Sequence, residues 1–115
     1  MTNNSDDYSV FDRETFLKRI GGNETLAQKI LGKFIDDVPK RMESIRKAIE
    51  KRDMEEIRLQ AHTIKGSSRN VGADRLGYYA ERLEKGSTAE DSALLKELAA
   101  ALQTAFEELK SIAKP

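Results

Sequence analysis

From Phe16 to Ile112 the apolar residues of this chain recur three or four positions apart, and no stretch shows the alternation of a strand. A helix advances about 100° per residue, so this spacing gathers apolar side chains into a stripe that must be buried against another element. A chain whose stripes are all of this kind folds as helix packed on helix.

Taken in order, Met1 to Ser9 is polar, with Asn3, Asn4, Asp6 and Asp7, and residues 1–10 are expected to form a disordered lead or linker. Asp12 has the character of an N-cap, with Phe11 and Phe16 at the two positions of a hydrophobic staple. The short helix that follows carries Phe16, Leu17 and Ile20 and stops at Gly21-Gly22. It is too short to stand alone and is expected across the end of a bundle.

Asn23 caps the longest helix, expected to run to about Arg52 with Leu26, Ile30, Phe34, Val38, Met42, Ile45 and Ile49 inward. Pro39 removes one backbone donor, and a kink rather than a break is expected because the apolar rhythm continues beyond it. Asp53 with Glu56 opens a third helix ending near Asn70, where Gly72 suits a left-handed residue. Asp74 begins the next helix, with Leu76, Tyr79, Ala80 and Leu83 inward and Gly86 as its stop. Thr88 and Asp91 read as a capping pair for a last helix with Leu94 or Leu95, Leu98, Leu102, Ala105, Leu109 and Ile112 inside. The expected fold is all-α, an antiparallel up-down four-helix bundle with a short extra N-terminal helix, over residues 11–115.

Composition narrows the function classes. Twenty basic and twenty acidic residues cancel, so no global field favours nucleic acid or a membrane surface. Without cysteine there is no disulfide framework and no thiolate metal site, and one histidine does not make an ordinary zinc site. No glycine-rich loop follows a strand, so the common nucleotide-binding motifs are missing. The absence of a long apolar run or signal-peptide pattern points to a cytoplasmic protein.

The single histidine, His62, opens the run HTIKGSSRNVGA inside the third helix. Ile57, Ala61, Ile64, Ser68 and Val71 form the apolar stripe there, and His62 falls roughly 140° from its centre by helical geometry. It is therefore expected in solvent. Arg58, Lys65 and Arg69 share its outer face, as does the apolar Leu59, while Gly66 leaves the i+4 position beside the ring bare. A glycine inside a helix costs about 1 kcal/mol relative to alanine, and here it leaves room for another backbone to approach the imidazole.

An imidazole with an ordinary titration point is largely neutral near pH 7, so a ring nitrogen can attack phosphorus. Phosphoryl transfer is helped mainly by positioning and by offsetting charge on the equatorial oxygens, a task for which Lys65 is placed. With no metal pocket and no second acid or base, such a site needs a partner to complete its catalysis.

The pattern His62-x-x-Lys65-Gly66-Ser67-x-x-x-Val71-Gly72-Ala73 resembles the signature of histidine-containing phosphotransfer (HPt) domains of bacterial two-component phosphorelays, and the resemblance extends from about Phe11 to the C-terminus. The resemblance implies that His62 is phosphorylated, that Lys65 steadies the phosphoryl group and that Gly66 permits docking of a receiver domain. In the family an acidic or amide residue of the following helix often lies near the histidine, and Glu84 falls at that spacing.

The expected function is that of a phosphorelay intermediate, not an enzyme by itself. His62 would accept a phosphoryl group from a phospho-aspartate receiver domain and pass it to another. Arg58, Leu59, Gly66 and Arg69 would meet the partner. No cofactor or metal is expected on this chain, since the receiver would bring the magnesium ion. Partners would be response-regulator receivers and a hybrid histidine kinase, with no nucleic acid or membrane, and the chain is expected as a monomer. Two other readings are a helical adaptor that binds without phosphotransfer, and an HPt domain belonging to a larger hybrid histidine kinase, for which the two ends would serve as linkers.

Overall fold

The computed structural model describes residues 5–89 and 91–113. Five α-helices follow a 3-10 turn at Ser5–Asp7: α1 (Arg13–Arg19), α2 (Glu24–Lys51), α3 (Met54–Asn70), α4 (Asp74–Gly86) and α5 (Ser92–Ile112). The described residues contain no strand. Each of α2 to α5 packs on its neighbour in sequence, and α5 returns to α2, closing the bundle; α3 and α4 share the most extensive seam. Short connections between successive helices are those of an up-down bundle.

The boundaries arise from local chemistry. The side chains of Asp12, Asn23, Asp53 and Asp91 each accept the N–H three residues on, satisfying one of the donors a helix start leaves orphaned. At the end of α3 the Ala73 N–H donates to Ser68 C=O at 2.8 Å and the Gly72 N–H to Arg69 C=O at 3.2 Å. That double closure needs a left-handed residue, and Gly72 has φ +81°. Arg52 takes the same role after α2 with φ +57°. Thr88 differs from expectation: its hydroxyl donates to Lys85 C=O at 2.8 Å, so it closes α4 and leaves the start of α5 to Asp91 alone.

The α2 helix is continuous through Pro39. Its buried face is Ala27, Leu31, Phe34, Val38, Ile45, Ala48 and Ile49, with Ile30 and Met42 half-buried against it, whereas Leu26 is exposed. In the first turns Ala27 and Leu31 face the core instead, one position round the helix. On α4 Tyr78 is more buried than Tyr79, and Gly77 is buried too. On α5 Phe106 joins the inner face, while Ile112 projects into solvent and Ala113 after it is buried instead. Fully buried Val38, Ile45, Ile57, Ile64, Leu76, Leu83, Leu95, Leu102 and Leu109 tie the four helices together. Each such side chain contributes roughly 1.5–3 kcal/mol relative to exposure.

Residues 5–10 lie against α4, where the sequence suggested a disordered lead. The Arg75 N–H donates to Ser9 C=O at 2.9 Å, and Arg75 Nε donates to the carbonyls of Ser5 and Tyr8. Tyr8 stacks on Tyr78 with centroids 4.8 Å apart. Polar composition alone does not show that these carbonyls have an arginine to bind. Residues 1–4 of that lead, and 114–115 at the other end, fall outside the described residues.

Candidate functional site

Small side chains along the α3–α4 seam govern how close the two helices come. Ala61, Ser68 and Ala80 are fully buried, and a Cβ added to Gly77 would lie 3.6 Å from Ser68 Cβ and 3.3 Å from Arg69 Cγ. With nothing larger at these positions the helices approach closely, and the charged rims of the seam fall within bonding reach of one another.

His62 stands on the upper rim, with its side chain 60% exposed, as its helical angle predicts. Its Nδ1 lies 2.8 Å from Glu84 Oε2 across the seam. Lys65, one turn on, places Nζ 2.6 Å from Glu84 Oε1. The Lys65 and Glu84 side chains are only 20% and 19% exposed. Burial pushes the Glu84 carboxyl up, but the hydrogen bonds and positive charge of Lys65, together with the hydrogen bond from His62, outweigh it and hold the carboxyl below its ordinary value. Glu84 is therefore an anion at neutral pH and only accepts. The ring nitrogen facing it must carry the proton, which fixes the Nδ1–H tautomer and leaves the Nε2 lone pair open. Nε2 has no hydrogen-bond partner among the described residues.

The other sequence candidates divide into two groups. A Cβ at Gly66 would meet nothing within 4 Å, and Leu59 is 50% exposed, so both belong to an open face around the ring. Arg58 and Arg69 are on that face but engaged. Arg58 Nη2 lies 2.5 Å from Glu55 Oε1, which raises the titration point of the guanidinium and lowers that of Glu55. Arg69 pairs with Glu81 of α4 at 3.3 Å, below the His62–Glu84 pair on the same seam. Glu55 and Glu81 were missed by sequence reasoning. The i,i+3 spacing of Glu55 and Arg58 carried a signal for the first, whereas Glu81 meets Arg69 only by helix packing.

Ser67 Oγ donates to Thr63 C=O at 3.1 Å, and Ser68 is fully buried, so neither offers a free hydroxyl at the surface beside the ring. Among the described residues no group of three or more His, Asp or Glu side chains is arranged to hold a metal ion, and no helix is long and apolar enough to cross a membrane. What the constellation can do is present one ring nitrogen as a nucleophile, on a rigid helix, with an anion behind the ring and a cation beside it.

A search of curated proteins gave no match. Among solved structures, the crystal structure of histidine-containing phosphotransfer protein B from Pseudomonas aeruginosa PAO1 superposes with a TM-score of 0.83 at 24% identity, covering 90% of each chain. At that identity the likeness shows the shared helical fold. The family model of the Hpt domain matches residues 29–111, which contain α3, α4 and every residue of the site just described. A match over that much of the chain settles membership: this protein belongs to the Hpt domain family, the histidine phosphotransfer intermediates of phosphorelays.

Proposed function

We propose that His62 is the phosphoryl carrier of this protein, and that Nε2 is the atom that bonds to phosphorus. The observation that carries this reading is the 2.8 Å hydrogen bond between Nδ1 and Glu84, which leaves Nε2 as the open nitrogen of an exposed ring. The lone pair attacks the phosphorus of an aspartyl phosphate on a receiver domain. The phosphorus–oxygen bond to the aspartate breaks, and the carboxylate leaves. Lys65, held one turn away, offsets charge on the transferring group. Transfer to a second receiver is the same step reversed.

The chain supplies nucleophile and positioning, and the receiver supplies its magnesium ion and most of the catalysis, so the protein is not an enzyme by itself. Gly66 and Leu59 mark the face where the receiver docks, with Arg58 and Arg69 at its margin. We place it in the cytoplasm as a monomer.

Incubation with a phosphorylated receiver and magnesium, followed by intact mass and acid treatment, tests the proposal. The expected result is one added phosphate that acid removes and that is not gained by His62→Gln. If several receivers fail to transfer to a folded protein, the phosphotransfer reading falls and an adaptor role takes its place.

A further inference from the structure

Glu84 does more than select a tautomer. From the way it grips the ring, we infer that Glu84 keeps the proton on Nδ1 after phosphorylation, so that phosphoryl exchange through His62 takes up and releases no proton. The inference rests on the assignment of Nε2 as the phosphorylated atom.

The atoms balance as follows. The ring that attacks is the neutral tautomer, with its one proton on Nδ1 donated to Glu84. Attack by Nε2 forms the nitrogen–phosphorus bond while the aspartyl oxygen departs with the bonding pair. The product ring is an N-phosphoimidazolium whose proton is still on Nδ1. In water such a ring sheds that proton as pH rises. Here the proton faces a half-enclosed carboxylate, 19% exposed, that only accepts. Glu84 is a poor destination for the proton, because Lys65 and His62 hold its carboxyl below its ordinary value. Its negative charge nevertheless favours the cationic ring. The return step then expels a neutral imidazole rather than an imidazolate, a far better leaving group, so both directions proceed from the same protonation state.

The charges around the ring allow this. On α3, Arg58 is committed to Glu55 and Lys65 to Glu84. On α4, Glu81 is shared between Arg69 and Lys85. On α2, Arg41 pairs with Asp37 and donates to Gln60 on the other flank of α3. An ammonium has three donors, so Lys65 keeps its bond to Glu84 Oε1 while another N–H meets a phosphoryl oxygen, and Glu84 stays the ionised acceptor of the ring proton.

Since His62 is the only histidine in the chain, labelling histidine with 15N reports this one ring. The protein is phosphorylated with phosphoramidate, or with a phosphorylated receiver, and the Nδ1 resonance is followed from about pH 6 to about pH 9. The phosphorylated ring of the natural protein should titrate about one pH unit higher than that of Glu84→Gln, the low end of the effect of a nearby opposite charge. Glu84→Asp, which keeps the charge, should recover part of the difference. The equilibrium of transfer with a receiver should stay flat to about one pH unit higher in the natural protein than in Glu84→Gln. In Glu84→Gln it should drift toward the phosphohistidine, by up to tenfold per pH unit above the ring's midpoint. Identical titrations in the natural protein and Glu84→Gln, with His62 phosphorylated in both, would overturn the inference and leave the carrier assignment standing. Failure of His62 to take phosphate from either donor would remove both.

Discussion

Lys65 Nζ and Glu84 Oε1 lie 2.6 Å apart across the α3–α4 seam, so the cation proposed to meet the phosphoryl group is held in place before the group arrives. This pairing fixes Lys65 one turn from the ring at the cost of a competitor for its charge. Lys65→Ala should therefore slow transfer by about tenfold or more and shorten the lifetime of the phosphohistidine. The fold should persist, since the removed ammonium sits at the edge of the seam. Rapid-quench transfer kinetics beside circular dichroism check this, and unchanged kinetics would remove Lys65 from the mechanism.

Gly66 and Gly72 are both glycines of the signature but do different work. At Gly66 a side chain meets open space, so Gly66→Trp should leave the melting temperature within a few degrees while abolishing receiver binding, measured by calorimetry. Receiver affinity equal to that of the natural protein would show that docking does not use this face.

At Gly72 the backbone has φ +81°, and a Cβ would lie 2.5 Å from the Asp12 carbonyl oxygen. The Asp12 N–H also donates to Gly72 C=O at 2.8 Å, which ties the start of α1 to the end of α3. Gly72→Ala should destabilise the protein by more than about 1–2 kcal/mol, through backbone strain and the broken approach. Urea denaturation measures this, with phosphorylation of the remaining folded protein expected to be normal.

Gly77 lies on α4 two turns before Glu84 and packs beside Ser68 and Arg69 rather than beside His62. Gly77→Leu should push α4 away from Ser68 and Arg69, costing roughly 1–3 kcal/mol by overpacking. It should also weaken the hydrogen bond from His62 to Glu84. Loss of the Nδ1–H signature in the 15N spectrum of His62, in a protein that still melts cooperatively, is the expected observation.

The pH dependence of stability has two opposed parts. The Glu84 carboxyl is held below its ordinary 4.5, so its contacts contribute fully above that value and are lost as pH falls through its folded titration point. Asp74 runs the other way. Burial, reinforced by the charge of Asp12, raises its carboxyl above 3.8, so its ionisation costs stability that returns as pH falls. Glu84→Gln should therefore lose less stability than the natural protein on acidification, and Asp74→Asn should lose more. Denaturation midpoints between about pH 3 and about pH 6 test both signs.

The helices, their caps and the outward direction of His62 were legible in the sequence because they depend on local rules. An N-cap needs only its own side chain and an amide three residues on, and the angle between His62 and the Ile57–Ile64 stripe follows from helical pitch. The Gly72 closure was readable for the same reason. The ends of stripes were not: Leu26 and Ile112 keep the rhythm but lie exposed, since a periodic pattern does not say where the neighbouring helix stops. Residues 5–10 escaped because the partner of their carbonyls, Arg75, is remote in sequence.

The sequence by itself therefore determined an all-helical bundle and a solvent-facing histidine with a lysine and a bare glycine beside it. The tertiary structure alone decided which nitrogen of His62 is free, where the Lys65 charge rests, and that Glu84, to which the family resemblance pointed, lies within bonding distance of both. Those facts depend on distances of 2.6 and 2.8 Å between α3 and α4. Such distances are set by how closely two helices pack over Ala61, Ser68, Gly77 and Ala80, and spacing along one chain does not encode the approach of another segment.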